Sequence, residues 1–420
     1  WQETKSLYFL HKNVSVRDAT FPGFIIASPS LEPNYYFHWV RDAALVMKSL
    51  FKYLSDKEKI VFFDDYAKLV LQHQNTKTNI SSLGEVKYKK DGTAYTGPWG
   101  RPQNDGPALR SLTLIEYFLY IKSNNLKYSL PDDHFYSLNP KSHAVIKKDL
   151  DYIVKVWKEK DYDLWEEVKG DHFFTKMVQA EALLQGMKVA NLYGDSISAI
   201  KYESTYEEIN EFLNKFFNVS QKYFFSTINW SGGHNTKTTY IDTATILAFN
   251  QIKHPYNINS NNNFKKVVDT FRNLYKINKN RNEYALGRYP EDFYFGGNPW
   301  FLLTAAAGEY IYKMVDRVNR QYKISSSQFP KDFIPGFKIP QTKQFSPEQK
   351  NQLLQALFSY GDEFLKTIQK HVDLNSGRMD EQFHRDNGYM LSAKHLTWSY
   401  SAFLSMKKAR DKAQVIIQIK

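Results

Sequence analysis

No cysteine occurs among the 420 residues. That excludes thiol catalysis, a disulfide scaffold and cysteine-based zinc sites. No run of eighteen apolar residues is present either, so a membrane-spanning helix is excluded. The 11 histidines show no H-E-x-x-H or comparable ligand spacing, and there is neither a P-loop nor a G-x-S-x-G elbow. "SGGH" (231–234) is too short to cradle a phosphate. No metal, nucleotide or other cofactor is therefore expected. Acidic residues are in deficit, 44 against 56 Lys and Arg, for a net charge of +12. The lysines are scattered, and the densest cluster is only "KYKK" (Lys87, Lys89, Lys90). This reads as a solvated basic surface, and no nucleic-acid partner is expected.

Aromatics are abundant: 29 Tyr, 30 Phe and 8 Trp, 16% of the chain, within a hydrophobic fraction of 42%. A chain this long can bury roughly three quarters of its unfolded surface. The rings fit either a well-filled core or a cleft lined with flat faces. N-x-S/T sequons stand at Asn13, Asn79, Asn218 and Asn229. They point to a secreted glycoprotein, although short sequons also arise by chance.

Hydrophobic periodicity of 3.6 residues predicts about twelve helices and almost no alternating strands. They span 3–13, 38–54, 57–76, 105–124, 140–158, 172–193, 204–226, 240–253, 263–276, 298–317, 347–370 and 395–410. Asn139-Pro140, Asn298-Pro299 and Ser346-Pro347 each offer a cap followed by proline at the first helical position. Phe173, Met177, Ala180, Leu184 and Met187 form one apolar stripe. "NINSNNNFKK" (257–266) and the Pro-punctuated stretch 325–349 read as loops, and neither marks a change of composition. One domain covering 1–420 is expected.

The most unusual loops precede the second, fourth, sixth, tenth and twelfth helices: "NYYFHWVRD", "YTGPWGRPQNDGP", "YDLWEEVKGDHFF", "GRYPEDFYFGGNPW" and "MDEQFHRDNGY". If consecutive helices run up and down, such loops share one end and can wall a single pocket. Glu166-Glu167 and Asp380-Glu381 supply solvent-facing carboxylates on two of them. Two carboxyls, one protonating a leaving oxygen and one activating water, are what glycosidic hydrolysis requires. The alternative for each pair is an ordinary solvated charge cluster. Trp39, Trp99, Trp165 and Trp300 can present flat faces to a sugar, and Arg41, Asp42 and Arg288 can bind hydroxyls. Arg41-Asp42 can equally be a structural ion pair, and Arg288 can bridge to Glu291 or Asp292.

Together these five motifs, extended to "NYYFHWVRDAALV", "YTGPWGRPQNDGPALR", "YDLWEEVKGDHFFT", "GRYPEDFYFGGNPWFL" and "DEQFHRDNGYMLSAKHLTWSY", resemble the fungal glucoamylases of glycoside hydrolase family 15. The likeness runs in the family's order from about residue 20 to 410. It implies an all-α (α/α)6 barrel of six outer and six inner helices. It further implies a monomeric exo-hydrolase that releases β-glucose from non-reducing ends of starch-like α-glucans by inversion. Glu166 matches the family's general acid and Glu381 its general base, an inverting pair that stands roughly 6.5–9.5 Å apart. Arg41 and Asp42 match the pair holding the terminal glucose, and Glu167 and Arg288 match hydroxyl-binding positions. Tyr35, Trp39, Trp99, Trp165 and Trp300 match aromatic wall positions, with Leu164 contributing backbone. No starch-binding module is expected within these residues, and the segment 229–262, with Asp242, diverges. A non-catalytic glucan-binding or regulatory protein on the same fold is the alternative reading.

Overall fold

The computed structural model describes residues 1–80, 82–139, 142, 144–252 and 257–418. Among them the first helices are α1 (Gln2–Asn13), α2 (Val40–Leu50), α3 (Asp56–Asn75), α4 (Asp105–Ser123), α5 (Asp132–Phe135), α6 (Val145–Val156), α7 (Phe173–Leu192) and α8 (Ser196–Leu213). They are followed by α9 (Ala244–Gln251), α10 (Ile258–Leu274), α11 (Lys276–Arg281), α12 (Phe301–Arg320), α13 (Pro347–His371) and α14 (Thr397–Gln418). The strands are β1 (His38–Trp39), β2 (Lys87–Tyr88), β3 (Asp161–Tyr162), β4 (Val168–His172), β5 (Phe217–Asn218), β6 (Tyr223–Phe224), β7 (Thr227–Gly233), β8 (Gln382–Phe383) and β9 (Met390–Leu391).

The chain divides into two compact units, one of residues 8–215 and 227–235, the other of residues 1–7, 216–226 and 236–420. In the first, α4 packs on α2, α6 and α7, and α7 packs on α8. Every residue of α4 from Asp105 to Ile115 is buried. In α6, by contrast, burial follows one stripe: Val145, Ile146, Asp149, Leu150, Ile153 and Val156. A helix covered on all sides is an inner element, whereas a striped helix keeps one face in water. In the second unit α12, buried without a break from Phe301 to Tyr312, packs on α9, α13 and α14. Its neighbour α13 is striped, through Leu353, Leu354, Leu357, Tyr360 and Phe364.

Several expected boundaries moved for identifiable reasons. The strands, nearly absent from the sequence reading, are two to seven residues long and hold loops instead of building the core. The seventh predicted helix, 204–226, is instead α8, capped by Asp195 on Ser198 N, followed by a short 3₁₀ turn and the β5–β6 hairpin. The apolar period ran through "NVSQK", which is a turn closed by the Phe217–Phe224 ring pair at 4.9 Å. The asparagine-rich stretch read as a loop is the start of α10. Asn257 and Ser260 cap it reciprocally. Asn263, fully buried, donates to Thr245 Oγ1 (2.7 Å) and accepts from Phe224 N (3.0 Å), so its burial is satisfied.

Ser346-Pro347 starts α13 as expected, with a capping box through Gln349. Asn298-Pro299 does not start α12, whose first residue is Phe301; Asn298 instead donates to Phe295 O and Gln382 Oε1. α6 begins only at Val145, after Ala144. Pro140 and Lys253, at the ends of two expected helices, lie outside the described residues. The single stripe expected along 172–193 is also exceeded, since α7 is buried on most of its circumference.

Inside the first unit Arg110 of α4 forks onto Asp149 of α6 at 2.7 and 2.6 Å, with 2% and 0% of the side chains exposed. Removing one partner of such a pair strands a buried charge. Asp149→Ala is expected to destabilise the fold by about 3–5 kcal/mol. By contrast Lys158→Ala, which breaks the exposed 2.7 Å bridge to Glu208, should stay within about 1 kcal/mol. Urea unfolding of both variants checks the contrast.

Candidate active site

In the first unit, β3 and β4 form a hairpin in which Asp161 faces Gly170 and Tyr162 faces Lys169. The loop between them is the segment Asp163 to Glu167. Asp163, 2% exposed, folds it by accepting from Glu167 N (2.8 Å) and Val168 N (2.9 Å). A third bond runs from Glu166 N to Asp163 O at 2.8 Å. β7 pairs along the other edge of β4, setting Val168 against Gly233. Gly233 has φ +72°, and a Cβ there would lie 2.1 Å from Glu167 O, so only glycine allows this approach. At the tip Glu166 adopts φ +69°, a left-handed conformation rare for a side chain without local turn chemistry.

The Glu166 carboxylate collects three donors, from β1, the first turn of α2 and the loop before α4. Trp39 Nε1 donates to Oε1 at 2.7 Å, Trp99 Nε1 to Oε2 at 2.7 Å, and Arg41 Nη2 to Oε1 at 3.3 Å. Arg41 is itself fixed by Gln103 Oε1 (2.8 Å) and Asp105 Oδ2 (3.1 Å), and Asp42 lies 3.6 Å from its Nε. Burial pushes the Asp42 carboxyl up to about 7, against the lowering pull of Arg41 and with the help of nearby Glu166 and Asp105. Trp39 and Trp99 meet edge to face at 6.2 Å, and Tyr35 lies 5.3 Å from Trp39. Trp39 and Trp165 are buried at 5% and 7%, as is Leu164 at 3%, whereas Trp99 is 39% exposed. Glu167 contributes its carbonyl to His234 N at 2.8 Å. Thus Tyr35, Trp39, Arg41, Trp99 and Glu166 are brought together as the motifs suggested, with Asp42 beside Arg41.

Lys87 corrects the reading of "KYKK" as solvated surface. It is 2% exposed, on β2 opposite Trp39 of β1. Its ammonium stands 3.2 Å from the Trp99 ring centre, 4.2 Å from Trp39, 4.4 Å from Tyr95 and 4.8 Å from Phe37. Burial pushes this ammonium down to about 8, while Glu166 pulls it upward. No local pattern marks Lys87 as buried, since both residues of β2 and both of β1 are buried; Gln103 and Asp105 lie in the motif "YTGPWGRPQNDGP", and their hold on Arg41 is visible only in the fold.

In the second unit, Glu381 enters β8, with its N–H on Ala393 O at 2.9 Å. β8 pairs with β9 through Gln382–Leu391 and Phe383–Met390. Glu381 Oε2 accepts from Ser392 Oγ and from Gln382 Nε2 (3.1 Å). Asp380 and Glu381 were expected to face solvent, but the strand pairing buries them to 2% and 1%. Asp380 is a framework group: it pairs with Arg378 (3.2 Å), accepts from His395 N (3.1 Å), and its carbonyl accepts from Ser399. Arg288 forks onto Asp292 at 2.8 and 2.6 Å, the structural alternative weighed for it. The same guanidinium lies over Tyr294 (5.1 Å) and Trp300 (5.5 Å), so Arg288 and Trp300 are brought together. Asp242 pairs with buried Lys237 at 3.1 Å and caps Ala244 N.

Asp42 supplies a pH test. Its folded-state value, about 7, lies above the ordinary 3.8. The stability it contributes is therefore present below pH 4 and lost as pH rises to 7. Asp42→Asn is expected to gain stability relative to the unsubstituted chain between pH 4 and 7, seen as a pH-dependent difference in thermal midpoints. A pH-independent difference contradicts this.

Comparison with known proteins accords with this geometry. The family model described as glycosyl hydrolases family 15 matches residues 5–408. Glucoamylase P of Amorphotheca resinae is 36% identical over 413 residues, covering 92% of this chain and 65% of its own length. The chain thus spans just under two thirds of that relative. An intracellular sporulation-specific glucoamylase of Saccharomyces cerevisiae is 31% identical, covering 98% of this chain and 83% of its own. Among solved structures, the Hormoconis resinae glucoamylase superposes with a TM-score of 0.85 at 32% identity, over 98% of this chain and 73% of that one. The Saccharomycopsis fibuligera glucoamylase gives 0.86 at 29% identity, over 99% and 95%. The fold class is all-α, of the (α/α)6 kind, and the chain belongs to glycosyl hydrolase family 15.

Proposed function

We propose that the chain is an exo-acting glucan 1,4-α-glucosidase that releases β-glucose from non-reducing ends of starch-like glucans by inversion. Glu166 is the general acid and Glu381 the general base. The observation that carries the reading is the Glu166 carboxylate under three N–H donors. An acid that gives its proton to the departing glycosidic oxygen is left as a carboxylate. Trp39, Trp99 and Arg41 stabilise that carboxylate, so their effect grows as the proton leaves. Glu381, oriented through Ser392 and Gln382, takes a proton from the water that attacks the anomeric carbon. Arg41 and Asp42 bind the terminal glucose hydroxyls, Glu167 and Arg288 bind hydroxyls near the cleavage point, and the five aromatic positions wall the sugar. Secretion is part of the proposal, on the exposed sequons Asn79 and Asn229; Asn13, 5% exposed, is buried as an acceptor in the folded chain.

Glu166→Gln and Glu381→Gln are each expected to lower kcat on maltose by about 10³-fold with the fold intact. Glu381→Gln should keep its affinity for a non-hydrolysable glucan inhibitor; lost affinity would make Glu381 a framework residue. Proton NMR of fresh product should show β-glucose first, and an initial α-anomer rules out inversion.

A further inference from the structure

Three of the 8 tryptophans are more than a third exposed: Trp1 at 58%, Trp99 at 39% and Trp230 at 47%. Trp1 begins the chain, and Trp99 donates to the Glu166 carboxylate. Trp230 stands on β7, in the stretch that departs from the family's motifs. An indole left in water forgoes a large hydrophobic gain, so its setting is informative. Between the Lys169–Gly232 and Asp171–Ile228 pairs the register slips, and Asn229, Trp230 and Ser231 stand opposite Gly170 alone. This bulge is pinned on both sides of the ring. Asn229, at φ +54°, donates from Nδ2 to Asp171 Oδ2 at 2.8 Å. Trp230 Nε1 donates to His234 O at 3.2 Å, and His234 N to Glu167 O at 2.8 Å. The indole is oriented by its polar edge, while no other ring packs on its faces among the described residues.

Position gives the ring a use. His234 alone links the indole to Glu167, and Glu167 follows the proposed general acid. A carboxyl that protonates the departing oxygen faces the leaving part of the glucan. The loop carrying it, and the bulge bonded to that loop, therefore border the units on the leaving side of the bond. Bulges beside active sites commonly re-aim one side chain, and here the side chain re-aimed is an aromatic. The ring's one polar atom is already engaged by His234 O, so what it offers a ligand is an apolar face. A flat apolar face suits the C–H side of a pyranose. A lone ring among Asn229, Ser231, Gly232 and Gly233 is too small and polar a surface for a protein partner.

We propose that Trp230 is a stacking platform for the leaving chain, which holds a glucose unit beyond the one next to the cleaved bond and so sets the preference for long over short glucans. The inference rests on the glucosidase reading above and deepens it. Maltose ends at the unit next to the cleaved bond, whereas maltopentaose carries further units past it. The quantity measured is therefore the ratio of kcat/KM on maltopentaose to kcat/KM on maltose. In Trp230→Ala this ratio is expected to fall about fivefold. In Trp230→Phe, which keeps a ring, it should fall by no more than about twofold. Should Trp230→Ala fail to fold, Trp230→Leu, which keeps bulk without a flat face, takes its place with the same expectation. An unmoved ratio overturns the platform, and so does an equal loss on both substrates, the mark of a framework residue. In either case glucose release by the unsubstituted chain leaves the glucosidase reading standing. If the unsubstituted chain releases glucose from neither substrate, that reading falls and the platform with it.

Discussion

The contact on which the first unit's chemistry depends is the Glu166 carboxylate under Trp39, Trp99 and Arg41. It joins residues 67 to 127 positions apart in the chain. Each hydrogen bond to a charged group contributes about 1.5–3 kcal/mol. The left-handed backbone at Glu166 costs about 1–3 kcal/mol. Three such bonds outweigh one strained residue, so the tip can hold a conformation its side chain would otherwise avoid. Much of the surrounding sequence serves that outcome. Asp163 closes the loop, Gly233 lets β7 reach it, and Gln103 and Asp105 aim Arg41.

Charge balance explains the odd company of Lys87. An ammonium removed from water loses several kcal/mol of solvation. Cation–π contact with a desolvated ring returns about 2 kcal/mol. Four rings at 3.2 to 4.8 Å share one cation, so their contributions do not simply add. The negative charge of Glu166 acts on Lys87 in the same direction and supplies a further share. The aromatic box is therefore best matched to an ionised Glu166. In the proposed reaction that is the state reached once the proton has gone to the leaving oxygen. Lys87 and the two tryptophans then favour the same side of the transfer.

The sequence was informative where local rules decide the structure. Ser346-Pro347 and the long apolar periods located α13, α12 and α7 to within a few residues, and the motif "LWEE" picked out the loop that collects the donors. It failed where tertiary contacts override composition. The asparagines of α10 look like a loop until Thr245, Phe224 and Tyr310 are available as partners. "NVSQK" continues a helical period that only the Phe217–Phe224 pair interrupts. Lys87 was misread because a lysine is solvated by default, and the rings that enclose it come from Phe37 and Trp39 at β1 and from the 93–100 loop. The burial of Asp380 and Glu381 was likewise invisible, since it follows from the β8–β9 pairing and not from the charge of the segment.

Uncommon backbone conformations recur around both proposed catalytic carboxylates. Asn125, Asn229 and Asn282 have positive φ, which asparagine tolerates in turns. Glu166, Ser392, His395 and Phe295 have it too, and for Glu166 and Phe295 no local turn chemistry favours it. Ser392 donates to Glu381, His395 N donates to Asp380, and Phe295 O accepts from Asn298, which also donates to Gln382. These four lie within one hydrogen bond of a residue that holds or flanks a proposed catalytic carboxylate, whereas Lys222 and Tyr240, also at positive φ, lie on the β5–β6 hairpin and the segment after β7. A loop free to relax would give up these angles. Their retention implies that the hydrogen bonds around Glu166 and Glu381 fix the loops, with little freedom left in the backbone on which each carboxylate sits.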